Sequence, residues 1–260
     1  MTIDDVLYFD TETTGVPEKQ AKWDTDYADY PHIVQIAWIY GEHRESHIIC
    51  PSGWDIPKAS IEVHGITKER AILEGEPFIV VIDRFLSFCH KAGLICGHNI
   101  HFDTGIVKAN ILRELGWEYY DAEGVELALF KGKRIDTMRS SMKWVDARFA
   151  TGRLKFPNLT ELYSRCFPGE SFPAHDALAD TEAVKRCLPV LLELGLVELK
   201  LKEYPEDKGQ LFQQRPVSAP NSLLIEKNDK CINPEQKVAK SADFEKITDS
   251  AARLLQLNEF

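Results

Sequence analysis

No stretch of this 260-residue chain approaches the roughly 18 consecutive apolar residues of a membrane-spanning helix, so no membrane association of that kind is expected. The opening Thr2-Ile3-Asp4-Asp5 lacks the basic residues that begin a secretory leader. A cytoplasmic location is therefore expected. The six cysteines (Cys50, Cys89, Cys96, Cys166, Cys187 and Cys231) include no C-x-x-C pair, and several sit inside apolar runs. They read as buried thiols in a reducing compartment rather than as a disulfide or zinc framework. Internal repeats and low-complexity tracts are lacking too. Positive charge is scarce: 31 Lys/Arg against 41 Asp/Glu leave a net charge of −10, which by itself argues against a nucleic-acid partner.

The charge that is present is unevenly spread. Residues 1–199 carry the whole deficit, with 21 basic against 31 acidic residues, while 200–260 balance at 10 against 10. Within the acidic part, residues 131–155 hold eight basic residues (Lys131, Lys133, Arg134, Arg139, Lys143, Arg148, Arg153, Lys155) and two acids, Asp136 and Asp146. Such a strip either faces phosphates or is an ordinary solvated helix and loop, and its composition fits both. The length accommodates one well-buried domain with a remainder. Pro205, Gly209, Pro216, Pro220 and Asn221 punctuate a polar linker, followed by a helical pattern over about 234–257. The expected division is a domain at 1–199 and a tail at 200–260.

Val6-Leu7-Tyr8-Phe9 and the run 33–40 are apolar segments of strand length, and with a third strand around 46–50 they suggest an antiparallel meander. Residues 17–31, bounded by Pro17 and Pro31, read as a long surface excursion, which is usually functional or mobile. Val63–Thr67 reads as a small turn before a helical start at Lys68. Residues 78–90 repeat apolar side chains on one helical face, Leu94-Ile95-Cys96 is a short buried strand, and a helix from about 101 to 115 stops at Gly116. Arg134–Thr137 suggests another short strand leading into a basic helix. Helices are expected from Asn158 to Phe167 and after Pro173, the last of them kinked at Pro189. Strands alternating with helices in this way give an α/β layered domain with a mixed sheet.

Asp10 and Glu12 stand two residues apart at the end of the first strand. Side chains alternate along a strand, so both carboxylates leave one face while Thr11 takes the other. At about 4 Å and an effective dielectric near 20, two like charges repel by about 4 kcal/mol, so the pair needs a cation or a proton between them. Asp103 falls in the first turn of a helix, where the dipole favours an ionised carboxylate by about 0.3–1 kcal/mol. His175 and Asp180, five positions apart, would stand about 140° apart on a helical wheel. Both face one site only if His175 precedes the helix, and Pro173 places the boundary there. Four carboxylates in one pocket are tolerable with about two divalent cations, and all-oxygen ligation selects Mg²⁺ or Mn²⁺ over zinc. Two such ions, about 3.5–4 Å apart, stabilise the attacking and leaving oxygens of an in-line phosphoryl displacement.

Together, FDTETTG at 9–15, GHNIHFD at 97–103 and HDALADT at 175–181 resemble the three motifs of the DEDDh (DnaQ-like) 3'-to-5' exonucleases. VHGIT at 63–67 and IDT at 135–137 match segments of the family's proofreading branch, that of the epsilon subunit of bacterial replicative DNA polymerase. The resemblance spans about residues 5–195. It implies a ribonuclease H-like fold, a five-stranded mixed sheet with one antiparallel strand, flanked by helices. It further implies that Asp10, Glu12 and Asp180 ligate one divalent cation, Mg²⁺ or Mn²⁺, and that Asp10 with Asp103 holds a second. His175 is then the general base, a side-chain type able to take up a proton near neutral pH. Thr14, Gly15, His64, Asn99 and Phe102 would surround the terminal nucleotide. Gly15, without a Cβ, lets the backbone approach a sugar or base. Phe102 is either a stacking wedge or a core phenylalanine, since it lies on an apolar stripe. The implied substrate is a single-stranded or frayed 3' end of DNA, and the implied partner is a DNA polymerase reached through the tail.

The match departs from the family at Ala174, where many relatives carry arginine, and in the length of the 17–31 excursion. Gln210-Leu211-Phe212 is a very short match to a sliding-clamp peptide, and a plain flexible extension is the simpler reading of the tail. The same chemistry on RNA is an alternative, as in oligoribonuclease and RNase T, which share all three motifs. A non-catalytic module that binds ends or a polymerase would more naturally have lost an acid or the histidine. An aspartyl-phosphate phosphatase also begins with an acid pair, but Glu12 and GHNIHFD count against it.

Overall fold

Strand β1 (Val6–Thr13) divides the molecule, because its two faces pack into two different cores. The structure is a computed structural model that describes residues 2–129 and 131–201; the expectations for the tail, including the 210–212 match and the helix over 234–257, lie outside the described residues. Leu7 and Phe9 face a core shared with Trp38, Ile82 and Phe85. Val6 and Tyr8 face the other, among Leu162, Val184 and Leu188. The two-residue repeat of an extended chain alone produces this division.

On one side of β1 lies β2 (Ile33–Tyr40), antiparallel and registered from Leu7 opposite Tyr40 to Glu12 opposite Gln35; β3 (His43–Ile48) continues the sheet, antiparallel to β2. On the other side β4 (Leu94–Gly97) and β5 (Arg134–Asp136) follow in parallel. The order is β3-β2-β1-β4-β5, and only β2 runs against the rest. This is the expected five-stranded mixed sheet of the ribonuclease H-like fold. Helices α1 (Lys58–His64), α2 (Lys68–Glu74), α3 (Phe78–Lys91) and α4 (Ile100–Ala122) come first, followed by α5 (Val125–Ala128), α6 (Thr137–Val145), α7 (Leu159–Cys166) and α8 (Ala177–Glu193). Helices α3 and α4 cover the Phe9 face, and α7 and α8 the Tyr8 face.

Several boundaries differ from expectation for local reasons. Helix α1 stands where only a turn is legible, because it fully buries only Ser60 and so has no apolar stripe to announce it. Strand β3 starts at His43, earlier than the residues near 46, since a polar edge strand lacks an apolar signal. Gly116 (φ +82°) interrupts α4 as its stop signal predicts, yet a further helical stretch continues to Ala122. Helix α8 runs through Pro189 to Glu193. The 17–31 excursion is anchored: Trp23 and Tyr27 pack on the Phe9 core, and Arg113 donates to the carbonyls of Tyr27 (3.3 Å) and Tyr30 (2.6 Å). Cys89, Cys96 and Cys187 are buried free thiols and Cys166 a half-buried one. Cys50 is disulfide-bonded, contrary to the reading of every cysteine as a thiol.

Gly97 closes β4 under tight constraint. A Cβ there would lie 2.7 Å from Cδ1 of Ile100 and 3.2 Å from the carbonyl oxygen of Phe9. Gly97→Ala is therefore expected to destabilise the protein by about 1–3 kcal/mol through overpacking, measured as a lower denaturant midpoint. An unchanged midpoint would show that this turn tolerates a side chain.

Candidate active site

By the alternation that sends Tyr8 into the α8 core, Asp10 and Glu12 lie on the α8 side of β1. Asp180, in the first turn of α8, meets them there. Glu12, His175 and Asp180 each present a ligand atom, and the three atoms all lie within 4.8 Å of one another. His175 does precede the helix: Asp176 is the N-cap and accepts from the Ala179 amide, while His175 is exposed with φ +70°. Its backbone N–H donates to Oδ2 of Asp180 at 3.2 Å. Oδ1 of Asp180 is buried with no hydrogen-bond partner among the described residues.

Asp103 arrives from the opposite layer. Asn99, in the left-handed region (φ +69°), caps α4 and turns the chain so that Asp103 enters in the first helical turn, almost fully buried. Its Oδ1 accepts from Thr11 Oγ1 at 2.8 Å and from the Thr11 amide at 3.2 Å. The residue between the paired acids thus holds the third.

These carboxyls hold protons more firmly than exposed ones do. Burial and then the charge of Asp103, followed by those of Asp180, Glu12 and Asp176, raise Asp10 well above the usual range. Burial foremost, with the charge of Asp180, pushes Glu12 up to about 8. Asp103 rises to about 7 through burial, against the lowering effect of its Thr11 hydrogen bonds. Asp180 rises to about 6, again through burial, opposed by the His175 amide. An orphaned buried oxygen and four acids short of solvation fit hard divalent cations, which supply the missing positive charge.

Two residues that shape the site escaped the sequence reading. Gln35, buried and opposite Glu12 in the sheet, donates from Nε2 to Asp176 Oδ2 (3.1 Å) and Ser46 Oγ (3.0 Å), while its Oε1 accepts from the Ala177 amide (3.2 Å). It thereby fixes the start of α8, and with it His175 and Asp180. The available signal was one amide in the otherwise apolar run 33–40. Asp176 adds a further negative charge acting on Asp10, Glu12 and Asp180.

The residues expected around a nucleotide fall in different settings. Thr14 is engaged with His32, donating its amide to the His32 carbonyl (3.0 Å) and accepting the His32 amide at Oγ1 (2.9 Å). Gly15 has φ +155°, and a Cβ there would meet nothing within 4 Å, so its face is open. His64 ends α1; Nδ1 accepts from the Ile66 amide (3.1 Å), Nε2 is buried with no partner among the described residues, and burial lowers its pKa. The Asn99 amide donates to Asp136 Oδ1 at 3.2 Å. Phe102 is half-buried against the Phe9 core, closer to the core reading than to a free wedge.

The basic strip is not a continuous band. Lys133 donates to the Cys89 carbonyl and Arg134 to Thr104, while Arg139 pairs with Asp136, Arg148 with Asp146 and Lys155 with Glu161.

The RNase T family of exonucleases matches residues 7–188. No curated protein matches the chain. Among solved structures, a product-bound exonuclease I shares the fold at a TM-score of 0.54 and 19% identity, over 74% of this chain and 44% of that one. Escherichia coli exonuclease I in complex with a dA16 oligonucleotide aligns at 0.53 and 18%, over 72% and 40%. Exonuclease I from Methylocaldum szegediense aligns at 0.51 and 16%, again over 72% and 40%. The chain spans less than half the length of these proteins.

Each raised carboxyl binds its proton more tightly folded than unfolded, so below pH about 4 both states are protonated and stability is complete. As pH climbs through about 6 for Asp180, 7 for Asp103 and 8 for Glu12, that stability is lost. The metal-free protein is expected to melt at progressively lower temperature from pH 4 to 8, by about 2–4 °C per kcal/mol lost, and Mn²⁺ to raise the melting point more at pH 8 than at pH 5. A flat melting profile would contradict the assigned environment. Gln35→Leu, which unties α8 from β2, is expected to weaken Mn²⁺ binding measured by calorimetry about tenfold.

Proposed function

Since the chain belongs to the RNase T family of exonucleases, we propose that it is a metal-dependent 3'-to-5' exonuclease hydrolysing the terminal phosphodiester of single-stranded or frayed DNA. The products are nucleoside 5'-monophosphates. The observation that carries the reading is the meeting of Glu12, His175 and Asp180 within 4.8 Å, with the half-buried Asp10 on the same strand face and the buried Asp103 close enough for its charge to act on Asp10. DNA is favoured because a structure of the same fold is an exonuclease I in complex with a DNA oligonucleotide. RNA of matched sequence is the competing substrate, and the 2'-hydroxyl decides between them.

Asp10, Glu12 and Asp180 would hold one divalent cation, and Asp10 with Asp103 a second, Mg²⁺ or Mn²⁺. When bound, such ions neutralise the charge that builds on the attacking and leaving oxygens of the phosphoryl transfer. His175, on the exposed segment before α8, removes the proton of the attacking water. Asp180 holds that segment through the His175 amide, so the base and the acid move together. Gly15 leaves an open face for the terminal sugar, and Asn99, Phe102, Thr14 and His64 complete the nucleotide's surroundings. Recognition rests on phosphate and end geometry, which gives low sequence preference. In this reading residues 1–199 are the nuclease, and 200–260 form a linker and tail. A polymerase contact through that tail and membership of the proofreading branch rest on the resemblance of VHGIT and IDT alone.

Incubation with 3'-labelled and 5'-labelled single strands of DNA and RNA, with and without Mn²⁺, is expected to release labelled mononucleotide at once from the 3' label and to shorten the 5'-labelled strand stepwise, only with metal. Asp10→Asn retaining full activity would sink the proposal. His175→Ala is expected to lower turnover about 10²–10⁴-fold while calorimetric Mn²⁺ affinity stays close to that of the unaltered protein. Lost affinity would make His175 a ligand instead.

A further inference from the structure

Residues 146–157 form a hairpin that the catalytic proposal leaves unused. Its closure is regular: Arg148 and Leu154 bridge antiparallel, the Phe149 amide donates to the Arg153 carbonyl (2.9 Å) and the Lys155 amide to the Ala147 carbonyl (2.9 Å). Yet Phe149 and Phe156 are 47% and 46% exposed, so neither is a core anchor. A guanidinium lies over each ring, Arg153 at 5.1 Å from the centroid of Phe149 and Arg139 at 5.4 Å from that of Phe156.

The hairpin is tied to the turn that delivers Asp103. His98, next to Gly97, donates from Nε2 to the carbonyl of Pro157 (2.9 Å), which follows Phe156 directly. On the other side, Asp136 accepts the Asn99 amide and pairs with Arg139, the same arginine that covers Phe156. Phe156 and its arginine therefore stand beside the 97–103 segment, and Phe149 with Arg153 lies further along the hairpin, at its turn. Asp146 is the only acid between 146 and 157, against three basic residues, in a chain that is otherwise strongly acidic.

We infer that this hairpin is a stacking platform for a single-stranded nucleic acid, gripping the strand upstream of the nucleotide being removed. The inference rests on the exonuclease reading and deepens it. Bases stack on Phe149 and Phe156 whatever their identity, since every base has a π-face, and Arg139 and Arg153 add stacking planes and charge facing the phosphates. An aromatic lip carrying guanidinium groups gives an otherwise acidic protein a place to hold a polyanion beside the segment that delivers Asp103.

The test uses the full chain in EDTA, so that nothing is cleaved, and fluorescence anisotropy with a labelled fifteen-nucleotide thymidine strand and an abasic strand of equal length. The double variant Phe149→Ala/Phe156→Ala is expected to bind the thymidine strand about tenfold or more weakly than the unaltered protein, with a much smaller loss on the abasic strand. Phe149→Trp/Phe156→Trp should restore binding, which a variant damaged in folding could not reproduce. With Mn²⁺ present, the alanine variant should lose at least about tenfold more kcat/KM on the fifteen-mer than on a dinucleotide. Equal losses on both strands, or no loss, would overturn the platform, as would selective capture of a protein partner by the hairpin. Strand binding through the hairpin without any degradation would instead refute the nuclease reading and leave the platform standing.

Discussion

Asp10, Glu12, Asp103 and Asp180 are denied water by the packing of β1 against α4 and α8, and each lies in a field made worse by its neighbours. The relief among the described residues is modest: hydrogen bonds to Asp103 from Thr11 and from its own amide, and one from the His175 amide to Asp180. Neutral donors of this kind contribute of order 1 kcal/mol each, too little to hold four ionised acids together at neutral pH. The arrangement is stable either protonated or with cations in place. A fold that keeps such a cluster has its helices placed by other forces, namely the two apolar cores on either side of β1.

Those cores explain why so much was legible beforehand. Side-chain alternation along β1 is local, so the common face of Asp10 and Glu12 could be read from two residues; the wheel angle between His175 and Asp180 likewise required the histidine to stand off the helix. Five strands with one reversed follow from the apolar runs and the resemblance together. What escaped depends on contacts distant in sequence. Thr11 reaches Asp103 across 92 positions and Gln35 reaches Asp176 across 141, and no periodicity reports such pairs. Helix α1 escaped for a different reason, because the one residue it fully buries is Ser60 and no apolar stripe announces it.

Composition left one question open. The excess of positive charge over 131–155 is real, yet counting charges does not show which are already engaged. Lys133 and Arg134 are half-buried and bonded to the Cys89 carbonyl and to Thr104, and three others face acids nearby. What distinguishes the segment is the pairing of guanidinium with exposed ring, which depends on the hairpin's closure and so appears only in three dimensions.

Helix α8 is the last element of the described chain, yet it lies against the first two strands, and Gln35 locks its beginning to β2. Joining the two ends requires closing a loop of more than a hundred residues, a slow step whose entropy is recovered only late in folding. During synthesis, a nascent chain that has emerged only as far as α7 possesses Asp10, Glu12 and Asp103 but neither His175 nor Asp180. On the proposed reading, a product that stops short of α8 lacks two of the five residues of the site, which is complete only once α8 has packed against β1 and β2.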